Sequence, residues 1–237
     1  MRRKITARPT ARRGAAMNYK VAEIFTSIDG EGRLAGELAV FVRFCGCNLA
    51  CSYCDTKWAN EADAKYTLMS KTKIYETIIS TGIRNVTLTG GEPLLQDGID
   101  ALLNLLAEDE TLHVEIETNG SIPIKPYADM KNRPSMTLDY KLPGSLMEEH
   151  MCMENYECVQ DIDTVKFVCG NKNDLNRALE IVEKYDVTHK CAVYFSPVFG
   201  RIEPETIVDF LKEHKLNGVR LQLQLHKLIW DPDKRGV

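Results

Sequence analysis

Cys47-Asn48-Leu49-Ala50-Cys51-Ser52-Tyr53-Cys54 puts three thiols at the spacing C-x3-C-x2-C. The apolar, β-rich run 38–44 leads into it, preceded by a second such run at 21–28 and the turn Asp29-Gly30-Glu31-Gly32-Arg33-Leu34-Ala35-Gly36. Beyond the cysteines, short strand-like runs at 85–89, 113–118, 136–140, 164–169, 191–196 and 218–225 alternate with helical patterns at 70–80, 99–107, 174–185 and 203–214. Strands separated by single helices imply βαβ units and a parallel sheet. About six such strands predict an α/β fold, either a partial (β/α) barrel or a flat doubly wound sheet. In both, function collects at the C-terminal strand ends. Cys47, Gly90-Gly91-Glu92-Pro93, Asn119-Gly120, Lys141 and Ser196-Pro197 all follow such ends.

The 237 residues suit one domain, taken as 18–237. Residues 1–17 hold six basic residues and no acid, and read as a disordered extension or an upstream start before Met17. The rest carries 24 Lys+Arg against 34 Asp+Glu, which gives no electrostatic case for direct nucleic-acid binding. No apolar run approaches the roughly 20 residues of a membrane span. Eight cysteines without an export signal predict free thiols in a reducing, cytoplasmic compartment. Cys152, Cys158, Cys169 and Cys191 read as buried or solvent-exposed free thiols, with Cys169 and Cys191 in strands and packed in the core.

Random occurrence of this cysteine spacing is expected roughly 0.01 times in such a chain, so the cluster calls for chemistry. Structural zinc wants four closed ligands, commonly as two separated pairs. Only three cysteines have the spacing, and Cys45 lies too near Cys47 to share one ion with it easily. A redox pair, Cys51 and Cys54, is a further reading. A [4Fe–4S] cluster takes cysteine thiolates, and three of them leave one iron open to another molecule.

C-x3-C-x2-C with an aromatic before the last cysteine, followed by Thr89-Gly90-Gly91-Glu92-Pro93, resembles the radical S-adenosylmethionine (SAM) superfamily. That resemblance implies a partial or full β/α barrel. It also implies SAM held on the open iron and cleaved by one electron to a radical that removes a substrate hydrogen. Ile28-Asp29-Gly30-Glu31-Gly32, Phe41-Val42-Arg43-Phe44, the stretch Cys54-Asp55-Thr56 and the tail Lys234-Arg235-Gly236-Val237 narrow the likeness. From 19 to 237 the chain resembles the 7-carboxy-7-deazaguanine synthase family. Its members convert 6-carboxy-5,6,7,8-tetrahydropterin to 7-carboxy-7-deazaguanine with loss of ammonia, a step toward queuosine.

The resemblance implies Cys47, Cys51 and Cys54 as cluster ligands and the Thr56 hydroxyl as a Mg2+ ligand. It implies SAM contacts from Tyr53, Asp55, Gly91, Glu92, Asp139, Tyr140, Lys141 and Ser196. Substrate contacts would come from Ile28, Asp29, Gly30, Arg43, Thr89, Glu117 and the carboxylate of Val237. Two places depart from the family pattern. Asp29 stands where Gln is common, and an ionised Asp can only accept hydrogen bonds. Asp139-Tyr140 replaces Ser-Pro before the retained Lys141. The family also implies a homodimer and an electron donor such as flavodoxin or ferredoxin. Rival readings are another radical SAM enzyme, such as a glycyl-radical activase, and a non-enzymatic metal-binding module.

Overall fold

One sheet of nine strands organises the computed structural model, which describes residues 18–237; the basic stretch 1–17 lies outside the described residues. The strands are β1 (Asn18–Ile28), β2 (Leu38–Phe44), β3 (Thr67–Ser70), β4 (Asn85–Gly90), β5 (His113–Thr118), β6 (Ser135–Tyr140), β7 (Thr164–Cys169), β8 (Ala192–Pro197) and β9 (Val219–Leu221). Their order is β3-β1-β2-β4-β5-β6-β7-β8-β9. β1 pairs antiparallel with β2 and β3, and every pairing from β2 through β9 is parallel. The sheet stays open, with β3 and β9 as its edges, in agreement with a partial barrel.

The helices are α1 (Lys71–Ser80), α2 (Ile99–Ala107), α3 (Asn155–Cys158), α4 (Lys172–Tyr185), α5 (Pro204–Glu213) and α6 (Leu225–Ile229). The Ser70 hydroxyl caps α1 by accepting from the Lys73 amide, and Pro204 opens α5 where its missing N–H costs nothing. The Asn171 side chain accepts from the Asp174 amide, which starts α4 two residues before the expected 174.

The two faces of the sheet differ because side chains alternate along each strand. Val42, Leu88, Ile116, Leu138, Phe167 and Phe195 are buried in one apolar core, and Tyr156, Tyr140, Phe167 and Phe195 form a chain of ring contacts 5.4–5.6 Å apart there. The intervening positions are polar. Arg43 lies in register with Thr89, Thr87 with Glu115, Glu117 with Thr137, and Asp139 with Lys166. One face therefore holds the fold and the other carries chemistry.

Two strands differ from expectation, and the short helices α3 and α6 were not expected. β3 had no sequence signal of its own and forms by pairing with the N-terminal half of β1. β9 keeps three residues of the expected 218–225. The Gln222 side chain turns to the backbone of Gly32, the Leu225 amide donates to Gly30 O, and the chain enters α6.

The start of β6 is tied to the loop before β7 by Asp163. Its carboxylate accepts both Arg133 nitrogens at 2.9 and 2.8 Å and the amides of Met136 and Gln160. The two side chains are 6% and 0% exposed. Removing one partner of a buried pair leaves the other charge uncompensated. Asp163→Ala is expected to cost about 3 kcal/mol of unfolding free energy, read from urea titration; a loss below 1 kcal/mol would contradict this account.

Candidate active site

The loop after β2 turns at Gly46, whose φ is +94°, and carries the three cysteines onto the polar face. β4 closes against this loop. The Gly91 amide donates to Phe44 O, and the Glu92 amide donates to Gly46 O. A Cβ on Gly91 would sit 2.0 Å from Gly46 O and 2.2 Å from Asn60 Oδ1, and one on Gly90 would sit 2.2 Å from Phe44 O. The glycine pair is thus required first by the approach of the protein's own backbone.

Cys47, Cys51 and Cys54 line one cavity of about 830 Å3. Cys47 Sγ accepts from the Leu49 amide at 3.4 Å and from Asn119 Nδ2 at 3.5 Å; Cys54 Sγ lies 3.6 Å from Thr56 Oγ1. Burial pushes the Cys47 and Cys51 thiols up, so thiolates there need a cation that displaces their protons. Among the described residues, no group of His, Cys, Asp and Glu is gathered closely enough for a single metal ion. Three thiols lining one cavity fit the three-thiolate ligation of a [4Fe–4S] cluster with one iron left open. Cys45 does not join them: its Sγ turns to Lys65 O at 3.8 Å.

The cavity floor is a charge network built from neighbouring strands. Lys141 Nζ contacts Asp139 Oδ2 at 2.8 Å. Lys166 Nζ lies 3.1 Å from Glu31 Oε2 and 3.8 Å from Asp139 Oδ2. Thr137 Oγ1 donates to Glu115 Oε1. Several oxygens end there without a protein partner: Asp29 Oδ2, Glu31 Oε1, Asp139 Oδ1 and Asn60 Oδ1. Such buried, unpaired oxygens fit a polar ligand seated among them. Arg43 is held at the wall by Glu23 Oε1 at 2.9 Å and by the Phe25 ring.

The tail folds over this opening. Residues 232–237 line it, with the Arg235 guanidinium 4.3 Å from the centre of the Trp58 ring. Lys227 of α6 reaches Asp55 Oδ2 at 3.7 Å, and Arg201 lies over the ring of Tyr53.

Of the expected site residues, Ile28, Asp29, Gly30, Arg43, Tyr53, Asp55, Thr56, Thr89, Gly91, Glu117, Asp139, Lys141 and Val237 line the cavity with the three cysteines. Glu92, Tyr140 and Ser196 do not. The Glu92 carboxylate turns inward to accept from the Leu94 and Asn119 amides and the Thr118 hydroxyl. Tyr140 falls on the apolar side of β6, with its hydroxyl donating to Glu148 at 2.7 Å. Ser196 lies in register with cavity-lining Val168, but is fully buried with its hydroxyl covered. Asn119 and Glu31, which the sequence marks by a strand-end turn and by the Ile28–Gly32 motif without giving either a contact, line the cavity too, as do Lys166 and His226, which were not singled out from the sequence. A lysine inside the otherwise apolar strand Thr-Val-Lys-Phe-Val-Cys was the signal available for Lys166.

Comparison with known proteins agrees with this geometry. The Radical SAM superfamily matches residues 41–214. A 7-carboxy-7-deazaguanine synthase of Clostridium acetobutylicum is 58% identical over 221 residues, 93% of this chain and 100% of that protein. One of Chlorobaculum tepidum is 36% identical over 220 residues, covering 92% and 96%. The crystal structure of QueE from Escherichia coli shares the fold, with a TM-score of 0.66 and 24% identity over 88% of this chain and 95% of that one. By sequence along nearly its whole length, and by the three-thiol loop at the rim of an open parallel sheet, the chain belongs to the radical SAM superfamily and, within it, to the 7-carboxy-7-deazaguanine synthase family.

Proposed function

We propose that this chain is a carbon–nitrogen lyase that converts 6-carboxy-5,6,7,8-tetrahydropterin to 7-carboxy-7-deazaguanine and ammonia. The observation that carries the reading is the meeting of Cys47, Cys51 and Cys54 with Arg43, Thr89 and Glu117 on one cavity. The end-to-end likeness to proteins bearing that name supports it. When bound, a [4Fe–4S] cluster with SAM supplies the one-electron chemistry that removes a hydrogen atom from the pterin.

The chain's own residues bind, orient and shield. Cys47, Cys51 and Cys54 hold the cluster, and the Asn119 amide supports the Cys47 sulfur. Tyr53, Asp55, Gly91, Asp139 and Lys141 flank the space for SAM. Arg43, fixed through Nε on Glu23, offers its remaining guanidinium edge to the substrate carboxylate. Ile28, Gly30, Thr89 and Glu117 stand around the ring system. Thr56 supplies one hydroxyl to Mg2+; because that ion demands octahedral oxygen ligation, substrate oxygens and water complete the set. The tail excludes water, and the Val237 carboxylate reaches toward the substrate.

No helix among the described residues is long and apolar enough to cross a membrane. We place the enzyme in the cytoplasm, as a homodimer reduced by a flavodoxin- or ferredoxin-type donor.

Anaerobic protein reconstituted with iron and sulfide, then given SAM, reductant, Mg2+ and the pterin, is expected to release the deazaguanine acid and ammonia in equal amounts without net consumption of SAM. Omitting Mg2+ should slow the reaction. SAM cleavage with no deazaguanine product would leave the superfamily chemistry intact and remove this substrate.

A further inference from the structure

Asp29 is 2% exposed, yet lines the cavity. Its backbone is pinned by Asp29 N donating to Glu37 O at 2.7 Å and Gly36 N donating to Asp29 O at 2.8 Å. The side chain thus has no loop to move with. One carboxyl oxygen, Oδ1, accepts from the Glu31 amide at 3.3 Å; the other, Oδ2, is buried with no protein partner.

The charges around it are mostly of its own sign. Glu31 comes from the same loop, and Glu115 and Glu117 from β5. The neighbouring cations are engaged elsewhere. Lys166 of β7 is bound to Glu31 and Asp139, Lys141 after β6 to Asp139, and Arg43 of β2 to Glu23. His226 of α6 packs against Gly30, and burial lowers its basicity, favouring the neutral ring. A second negative charge at Asp29 would have neither solvent nor a free cation to stabilise it.

We propose that Asp29 stands in the cavity as a neutral carboxylic acid and donates a hydrogen bond from Oδ2 to an uncharged acceptor, a ring nitrogen or carbonyl oxygen, of the bound heterocycle. The inference rests on the substrate reading above and names the group that selects the acceptor edge of that substrate. Burial, then the Glu115 and Glu117 carboxylates, push the Asp29 carboxyl up to about 8. Below that pH the acid donates as an amide would. Above it, the carboxylate can only accept, and it also repels the carboxylate of the pterin.

The test is the dissociation constant of the pterin from enzyme carrying cluster and SAM, without reductant so that nothing turns over, from pH 6 to 9.5. Wild-type affinity should hold to about pH 8 and then weaken by up to tenfold per unit, to roughly 30-fold at pH 9.5. Asp29→Asn donates without ionising. Its affinity should stay level across the range and exceed wild type at the alkaline end. Glu115→Gln removes a facing like charge and should move the wild-type break to lower pH. A flat wild-type profile overturns the proposal, as does an Asp29→Asn enzyme that keeps the alkaline loss. Wild-type enzyme that binds no pterin at any pH, and makes no deazaguanine, overturns the substrate reading itself.

Discussion

Cys51→Ala is expected to abolish iron uptake and product formation together. Cys51 is 8% exposed, its thiol is pushed up by burial, and it lines the cavity between Cys47 and Cys54. A cubane has no substitute ligand within this pocket, because Cys45 faces Lys65 O and Cys191 faces Val187 O at 3.7 Å. Two thiolates leave two irons uncovered, and such a cluster does not persist. After anaerobic reconstitution, iron and sulfide content should fall to background in Cys47→Ala, Cys51→Ala and Cys54→Ala. Cys45→Ala and Cys191→Ala should take up iron like wild type. Loss of iron in either of these two would put a fourth protein ligand on the cluster and close the position that SAM needs.

Why these three thiols were legible in the sequence, while other residues were not, follows from the range of the interactions. C-x3-C-x2-C is local: eight residues of one loop hold the three thiols proposed as ligands. The parallel sheet was legible too, since β4, β7 and β8 are short β-rich runs and β5 alternates, each set off by turns or helical patterns. Two expected residues have side chains that turn from the cavity for a readable cause. Asp139, Tyr140 and Lys141 are consecutive at a strand end, and alternation sends Tyr140 to the side opposite its neighbours. Asp139 and Lys141 line the cavity while Tyr140 stacks in the core. Glu92 belongs to the glycine loop by its backbone, while its side chain answers to Thr118 of β5, 26 residues on.

Other parts of the site depend on register between distant segments, which no local pattern shows. Lys166 meets Glu31 across 135 residues, and Gln222 meets Gly32 across 190. The raised Asp29 carboxyl needs burial plus Glu115 and Glu117 from another strand. Here a local departure from the family pattern, Asp for Gln, was visible in the sequence, but the reason it can be tolerated was not.

Glu92→Ala is expected to cost about 4–6 kcal/mol of unfolding free energy, because one fully buried carboxylate serves three donors. Leu94 N and Thr118 Oγ1 donate to Oε1 at 3.0 and 2.9 Å, and Asn119 N donates to Oε2 at 2.7 Å. Alanine strands all three in the interior, at about 1–3 kcal/mol each. Asn119 is the residue whose amide reaches Cys47 Sγ and Asn48 Oδ1, so the loss also loosens the cysteine loop. Glutamine fills the space but turns one NH2 toward a donor, and should cost roughly 1–3 kcal/mol. The two variants separate further by pH. Desolvation, ahead of the opposing hydrogen bonds, raises Glu92 from 4.5 to about 7. The folded state therefore holds its proton over a range where the unfolded chain has released it. That contribution is complete below about pH 4.5 and is lost as pH rises through about 7, some 3 kcal/mol on the order of magnitude that such a shift carries. Urea midpoints of the cluster-free protein should fall from pH 4.5 to 7 in wild type and fall less steeply in Glu92→Gln. Asp29 and Glu115 add to the remaining slope because they shift in the same direction, and His226, whose basicity burial lowers, opposes it. A Glu92→Gln protein with the full wild-type slope would show that the buried carboxyl does not hold its proton, and that its three donors face a charge at every pH.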